Sequence, residues 1–331
     1  MNLNNIIRPK IPATYDPVCP RAKLDTGTHC NYKCYFCYYL DKLHKKTSFD
    51  IIKQRIDKLY DLGFRQLDLS GGESTIHQDW FKILEYCQKL GIYVSCLSNG
   101  SMLCYPSFIE KSKLFGLREV LFSLHGGTHI SHDKNVGHNG AFKKIIYAIN
   151  LAIDNDLYCR INATIDEDFD TENFIITINN LNIKQLNLLP LNNWEQAKNL
   201  KGIDYHKISD HIKKIINNIN DKELEINVRY IPFCYMKDYE KYVCGIYQHI
   251  FDQRDWNISA YGDLENVPTI ESMFNQAYIN RKMSYTKPIE CLNCSLKYIC
   301  DGLEYNNQHN KVFPYSGETV ENIMEFRNER I

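Results

Sequence analysis

The stretch His29-Cys30-Asn31-Tyr32-Lys33-Cys34-Tyr35-Phe36-Cys37 sets three cysteines four and three residues apart near the start of a 331-residue chain. Three soft thiolates so close together suit an iron-sulfur cluster or, less well, zinc, because soft sulfur ligands select these metals. The stretch supplies no fourth cysteine. A four-iron cube held by three cysteines leaves one iron without a protein ligand, whereas a structural zinc site is closed by four protein groups. An iron left open is a place for chemistry. The bland alternative is three packed thiols, since free cysteine behaves as a small buried hydrophobe.

Working outward, the composition is that of a globular protein, 44% hydrophobic and 24% charged, sufficient for a sizeable core. The length allows one large domain or a main domain with a small appendage. The 39 basic and 40 acidic residues give a formal charge of -1, and the lack of a long basic run argues against a nucleic-acid partner. No stretch approaches the roughly 20 apolar residues of a membrane helix, and the N-terminal MNLNNIIRPKIP lacks the apolar centre of a signal peptide. A cytoplasmic protein with no membrane association is expected. Cytosolic thiols stay reduced, so 13 cysteines point to metal sites rather than disulfides.

Residues 1–22, with Pro9, Pro12, Pro17 and Pro20, read as an extended arm, because proline interrupts helices and central strands. Cys19 in this arm has no spaced partner and is expected to be a non-ligand thiol. A strand over Ala22 to Thr28 delivers the chain into the cysteine stretch. Helix-period and strand-like segments then alternate. A helix carrying Ile51, Ile52, Ile56 and Leu59, capped at Ser48 and ended at Gly63, precedes a strand from Arg65 to Leu69. Helices over Asp79 to Leu90, Pro106 to Leu114, Ala141 to Ile153 and Thr171 to Asn179 lead to strands Ile92 to Leu97, Glu119 to Leu124, Tyr158 to Ile165 and Gln185 to Leu189. This alternation predicts a parallel sheet with right-handed crossovers and ligands at the C-terminal strand ends. Periodicity alone does not choose between a doubly wound sheet and a barrel.

CxxxCxxC with an aromatic residue, Phe36, before its third cysteine resembles the signature of the radical S-adenosylmethionine (SAM) superfamily. The resemblance implies an α/β fold, a partial (β/α)6 TIM-like barrel over residues 23–223, with a small C-terminal cysteine-rich auxiliary cluster domain. It also implies a [4Fe-4S] cluster on Cys30, Cys34 and Cys37 with its open iron chelated by SAM, and Phe36 beside that cofactor. In the family SAM is cleaved reductively to a 5'-deoxyadenosyl radical that abstracts hydrogen from substrate, with a reductant such as flavodoxin or ferredoxin.

Ser70-Gly71-Gly72-Glu73, directly after the second strand, resembles the family's GGE motif. Glycine lets a backbone approach a ligand closely, so Gly71 and Gly72 are expected at SAM, with Glu73 holding its charged amino group; an ordinary turn is the alternative. Leu97-Ser98-Asn99-Gly100 and Ser123-Leu124-His125-Gly126-Gly127 close the third and fourth strands. Such positions contact SAM in the family, which implies that role for Ser98, Asn99 and Ser123, against local capping as the alternative. His125, His129, His132 and Asp133 look like a metal set but resemble a family loop that binds none. A solvated or substrate-facing loop is expected there, with His125 as a substrate contact or acid-base group because imidazole titrates near neutrality. Arg160, within a strand, needs a partner for its charge, either a SAM carboxylate or a structural ion pair. Cys87, Cys96, Cys104 and Cys159 read as core thiols.

After a polar loop and a helix from Tyr205 to Ile219, a strand-like Leu224 to Tyr230 enters a second cysteine-bearing region. Cys291-Leu292-Asn293-Cys294, with Cys300 six residues on, is a strong metal signal, because the turn of a CxxC presents two thiolates to one site. The region 224–331 resembles the Twitch domain, the shorter relative of SPASM. That implies a second [4Fe-4S] cluster on Cys291, Cys294, Cys300 and Cys234, with Cys244 as the alternative fourth ligand and zinc as the alternative metal. Full thiolate ligation would favour electron acceptance and hence net oxidation of a small polar substrate, epimerisation being the redox-neutral competitor. A ribosomal peptide is the other substrate class; its modifying enzymes often carry a leader-binding domain, for which residues 1–29 are too few. A non-catalytic zinc-binding protein is the reading from another class.

Overall fold

The computed structural model describes residues 21–40, 43, 46–191, 202–244, 258–260 and 284–321; Cys19 and the arm over residues 1–20 lie outside them. Alternate residues of each strand are apolar and enter one core. Leu67 and Leu69 of β2 (Gln66–Ser70), Val94 and Cys96 of β3 (Tyr93–Ser98), and Val120 and Phe122 of β4 (Leu117–Ser123) are buried there. They share that core with Ile52, Ile56 and Leu59 of α1 (Phe49–Asp61) and Ile83, Leu84 and Cys87 of α2 (Trp80–Lys89). Each such Ile or Leu contributes about 1.5–3 kcal/mol by leaving water. Ser48 caps α1, its side chain accepting from the Ile51 N–H, which fixes where the helix starts.

The remaining units are α3 (Pro106–Leu114), α4 (His129–Val136), α5 (Ala141–Asp154), β5 (Tyr158–Ile165), α6 (Thr171–Asn179), β6 (Gln185–Pro190), α7 (Tyr205–Asn218) and β7 (Glu225–Val228). With β1 (Arg21–Asp25) and β8 (Ile258–Ala260) the strands form one sheet in the order β7-β6-β5-β4-β3-β2-β1-β8, every neighbouring pair parallel. From β1 to β7 the order never reverses. A doubly wound sheet reverses at a switch point, whereas a barrel winds in one direction, so the fold is a partial barrel. Its C-terminal strand ends carry the cysteine loop and the polar turns.

The other face of the strands is polar. Arg21 Nη1 donates to Asp68 Oδ1 and to Glu119 Oε1, both at 2.9 Å, and its Nη2 reaches Glu119 Oε2 at 3.0 Å. Arg160 Nη2 lies 3.5 Å from Asp68 Oδ2, and its Nε pairs with Glu119. All four side chains are buried. Two cations and two anions close a neutral quartet that satisfies charges which could not be buried singly. Arg160 therefore takes the structural ion pair of its two alternatives, and the expectation that it holds SAM is corrected: its charge is used below the strand ends.

Three further differences from the sequence reading have physical causes. The loop after β4 contains α4, closed by a capping box between Thr128 and Ser131 and ended by Gly137 at φ 62°; with His132 and Val136 as its buried residues, its apolar period is faint. β7, assigned from sequence to the auxiliary region, pairs with β6 from Gln185↔Glu225 to Leu188↔Val228, so the sheet continues past residue 223. β8 adds an eighth described strand beside β1. Residues around 303–313 are clasped to the start of α7: Ile203 N donates to Asn307 Oδ1 at 2.9 Å and Tyr205 N to Asn310 Oδ1 at 3.0 Å. Among the described residues no helix is long and apolar enough to cross a membrane.

Glu119→Ala removes the anion shared by Arg21 and Arg160 and is expected to cost about 3–5 kcal/mol in urea unfolding. Lys53→Ala, which breaks the exposed Lys53–Asp57 pair, should cost far less, because solvent screens an exposed pair. Comparable losses would contradict the quartet's role.

Candidate active site and a second cysteine cavity

The cysteine loop leaves β1 and is held by backbone hydrogen bonds from several elements. Thr26 N donates to Ser70 O at 2.9 Å, Gly72 N to Gly27 O at 2.9 Å and Glu73 N to His29 O at 2.8 Å. Farther along, Cys30 N donates to Leu43 O, Lys33 N to Val136 O and Tyr35 N to Asn135 O, at 3.1–3.2 Å. Tyr32 stacks on His138 with ring centroids 4.4 Å apart. The unforeseen α4 is thus one wall of the loop.

Cys30, Cys34 and Cys37 are partly exposed. Burial pushes the Cys30 thiol up to about 12, with the Glu73 carboxylate and Cys37 adding to the rise. Burial, then Cys37 and Cys30, raise Cys34 further, and burial raises Cys37. Thiols this reluctant to ionise alone, yet close enough to repel one another as anions, fit a cationic metal group that exchanges their protons for bonds. N–H groups already point at the sulfurs: Tyr32 N at Cys30 Sγ and Tyr39 N at Cys37 Sγ, each 3.4 Å.

Gly71 and Gly72 meet the cysteine loop itself. A Cβ on Gly71, whose φ is +120°, would stand 2.0 Å from Gly27 O, and one on Gly72 would stand 2.1 Å from His29 O. These glycines therefore admit another backbone, whatever ligand the turn also meets. Glu73 is buried, and its carboxylate accepts from Ser98 Oγ at 2.9 Å, Asn99 N at 2.6 Å, Thr75 N at 3.3 Å and Thr75 Oγ1. Asn99 Nδ2 donates to Asn31 Oδ1 at 2.9 Å and lies 3.9 Å from Cys30 Sγ. Glu73, Ser98 and Asn99 form one network beneath Cys30, joining the ends of β2 and β3. Beside it Thr26, His29, Lys46, Glu73 and His77 line an open cavity of about 290 Å³.

Ser123 ends β4, half-buried, in register with Asn162. His125 follows it and packs edge-on against Phe36, centroids 4.8 Å apart. Its Nδ1 accepts from Thr164 N at 3.1 Å, and its own N–H donates to His132 Nδ1 at 3.1 Å. Burial, with a smaller push from His132, lowers His125 to about 3, and burial lowers His132 to about 4. Burial thus keeps the ring in its neutral form at pH 7, and its hydrogen bond to Thr164 N ties the loop after β4 to β5. The loop is in large part packed rather than solvated, with His129 exposed at its edge.

At the other end of the chain, Cys234, in the 3₁₀ turn Phe233–Tyr235, and Cys291, Cys294 and Cys300 line one open cavity of about 390 Å³. Cys244 is elsewhere: it is buried, with its Sγ 3.0 Å from Asn227 Oδ1 and its N–H on Val228 O. Of the two candidates for a fourth thiol, the geometry places Cys234 with the set. Burial and the neighbouring thiols push Cys234 and Cys291 up to about 12. Two lining residues were not foreseen. Lys287 is buried with its Nζ on Lys297 O at 2.8 Å, and Tyr315 N donates to Cys294 Sγ at 3.3 Å. Lys287 stands four residues before the CxxC, a weak signal; Tyr315 has none. Among the described residues no three His, Cys, Asp or Glu side chains are placed to hold a single metal ion.

Residues 24–181 match the radical SAM superfamily. A GTP 3',8-cyclase of Clostridium perfringens (strain 13 / Type A) is 26% identical over 212 residues, 60% of this chain and 64% of that protein. The antilisterial bacteriocin subtilosin biosynthesis protein AlbA of Bacillus subtilis (strain 168) is 27% identical over 154 residues, 46% of this chain and 34% of the relative. The match thus spans less than two thirds of either relative. Streptococcus suis SuiB bound to precursor peptide SuiA superposes with a TM-score of 0.63 at 16% identity, over 87% of this chain and 72% of that one, a likeness of fold.

Two outcomes test this geometry. Gly72→Ala forces the His29 carbonyl aside and should lower iron retention at Cys30, Cys34 and Cys37, read as iron per chain after reconstitution; wild-type retention would contradict the clamp. Both histidines titrate lower folded than unfolded, so their contribution is intact above pH about 6.5 and is lost as pH falls toward 4. Each should remove about 1.4 kcal/mol per pH unit there, and His125→Gln should flatten that slope in denaturation at pH 4–7.

Proposed function

The chain carries a radical SAM superfamily domain over residues 24–181, and on that premise we propose that Cys30, Cys34 and Cys37 hold a [4Fe-4S] cluster with one iron left for SAM. The observation that carries this reading is that three half-buried thiols, near enough to act on one another, sit in the loop that leaves β1 and is bonded to the end of β2. When bound, such a cluster supplies the electron that cleaves SAM to methionine and a 5'-deoxyadenosyl radical, the hydrogen abstractor. The protein's own residues hold and shape. The Gly71-Gly72 turn fixes the loop, Glu73 keeps the ends of β2 and β3 in register beneath Cys30, and Phe36 against His125 closes the side next to α4. Ser98, Asn99 and Ser123 stand at the strand ends where SAM would lie.

Cys234, Cys291, Cys294 and Cys300 would hold a second [4Fe-4S] cluster in a Twitch-like region that begins after β7. The all-sulfur donor set and the cavity around it fit a group with several irons. Zinc, the alternative metal, would want a compact tetrahedron of the same four thiolates. With all four irons ligated, the second cluster would suit electron acceptance, so net oxidation of the substrate is the favoured outcome. The sheet's inner face carries the half-buried Asn162 and, buried and already hydrogen-bonded, Lys23, Asn187 and Arg229, a polar lining that suits a polar substrate. A peptide is the second reading, favoured by relatives of the AlbA type. A flavodoxin or ferredoxin would supply the first electron.

Anaerobically reconstituted protein should bind about eight irons per chain and release 5'-deoxyadenosine from SAM and dithionite. Cys34→Ala should abolish that release, and Cys234→Ala should lower iron to about four while Cys244→Ala does not. A colourless protein holding zinc and no iron would overturn the reading.

A further inference from the structure

The two cysteine sets sit in opposite electrostatic surroundings. At the N-terminal set the buried acidic side chain is Glu73, which lies beneath Cys30 and accepts from the N–H of Asn99, whose Nδ2 is 3.9 Å from Cys30 Sγ. At the C-terminal set the corresponding buried charge is a cation. Lys287 is 4% exposed, lies after β9 (Tyr285–Thr286) and lines the cavity with all four thiols.

The position of Lys287 is built. β9 pairs antiparallel with β10 (Leu303–Glu304), and Gly302, at φ +92°, leads into β10. A Cβ on Gly302 would stand 2.4 Å from Thr286 O and 2.9 Å from Lys287 Cγ, so the glycine after Cys300-Asp301 lets the lysine stem lie against the thiol loop. Nζ is then anchored on Lys297 O at 2.8 Å. Of the other charges nearby, Lys297 lines the same cavity and Asp301 and Glu240 stand behind its wall. Asp301, half-buried, opposes Lys287; Lys297 is half-buried with its Nζ on Leu292 O; and Glu240 is reached through the Tyr315 hydroxyl at 2.7 Å. Solvent screens the partly exposed Asp301 and Lys297 more than the buried Lys287. The Tyr315 N–H on Cys294 Sγ adds a fixed dipole of the same sign as the lysine.

A cluster gains one negative charge on reduction, so a cation fixed in a water-poor site favours the reduced form and an anion disfavours it; net charge and hydrogen bonds to sulfur are the levers that set such potentials. We infer that Lys287 is a positioning residue that raises the reduction potential of the cluster on Cys234, Cys291, Cys294 and Cys300, making that site the electron-accepting end of the molecule and the Glu73-flanked site the donating end. The inference rests on the two-cluster reading above and goes beyond it by assigning the direction to named charges.

The test uses the full chain with Cys30→Ala, Cys34→Ala and Cys37→Ala, so that one cluster is read alone by potentiometric titration with electron paramagnetic resonance. Iron near four per chain is the entry condition; iron near zero would overturn the auxiliary-cluster reading, and this inference with it. Given iron, Lys287→Met should lower the midpoint by at least a tenfold change in the reduced-to-oxidised ratio, about 59 mV for one electron, whereas Lys287→Arg should stay near the parent. An unchanged midpoint in Lys287→Met would overturn the inference alone. If Lys287→Met fails to load iron, Lys287→Gln, which keeps a donor for the Lys297 carbonyl, carries the comparison. Failure of both while Lys287→Arg loads would show a purely structural lysine and would equally overturn it.

Discussion

Two backbones touching at Gly71-Gly72 and Gly27 to His29 decide where the chemistry of this protein can be. The hydrogen bonds from Gly72 N to Gly27 O and from Glu73 N to His29 O need a separation that no Cβ permits. Because the turn is the C-terminal end of β2 and the loop is that of β1, the contact makes the thiol loop an extension of the sheet. The carboxylate that follows the glycines then reaches across to β3 through Ser98 and Asn99. A chain of short contacts thus transmits the register of three strands to Cys30.

The interior beneath that site is held differently. Its outer layer is ordinary apolar packing between strands and helices, but its inner layer closes on the quartet of Arg21, Asp68, Glu119 and Arg160. Such a group contributes little net stability against an apolar filling. It does allow inward polar side chains such as Asn162 and Asn187 to stand above it toward the mouth, where a polar cosubstrate would need them.

Much of this was legible in the sequence, and what was not shares a cause. The helices α1, α2, α3, α5, α6 and α7 follow from apolar spacing with glycine, serine or proline at their ends, and the parallel sheet follows from their alternation with strands. The thiol sets follow from spacing. Not legible were features whose partner lies far along the chain. Arg160 meets Asp68, 92 residues away, and spacing alone does not name that partner. Gly71 and Gly72 lie against another loop whose approach has no local signal. His125 is buried, with His132 of α4 beside it, and α4 itself is marked by a capping box rather than an apolar stripe. Between Cys234 and Cys244 spacing offers little choice; a hydrogen bond to Asn227 takes one thiol into the core and leaves the other at the cavity.

The place of β8 has a consequence for how the molecule is made. β1 pairs with β2 on one side and with β8 on the other, so Ala22 waits for Ile258. Closing a loop of that length is costly, and in a chain emerging from the ribosome the outer edge of β1 has no strand beside it until about residue 260 has been synthesised. An open edge of this kind is a template for mispairing. β1 is only five residues long, RAKLD, and its alternate positions are Arg21, Lys23 and Asp25. These inward charges, of which Arg21 later joins the quartet, make that edge a poor partner for a stray strand while it waits.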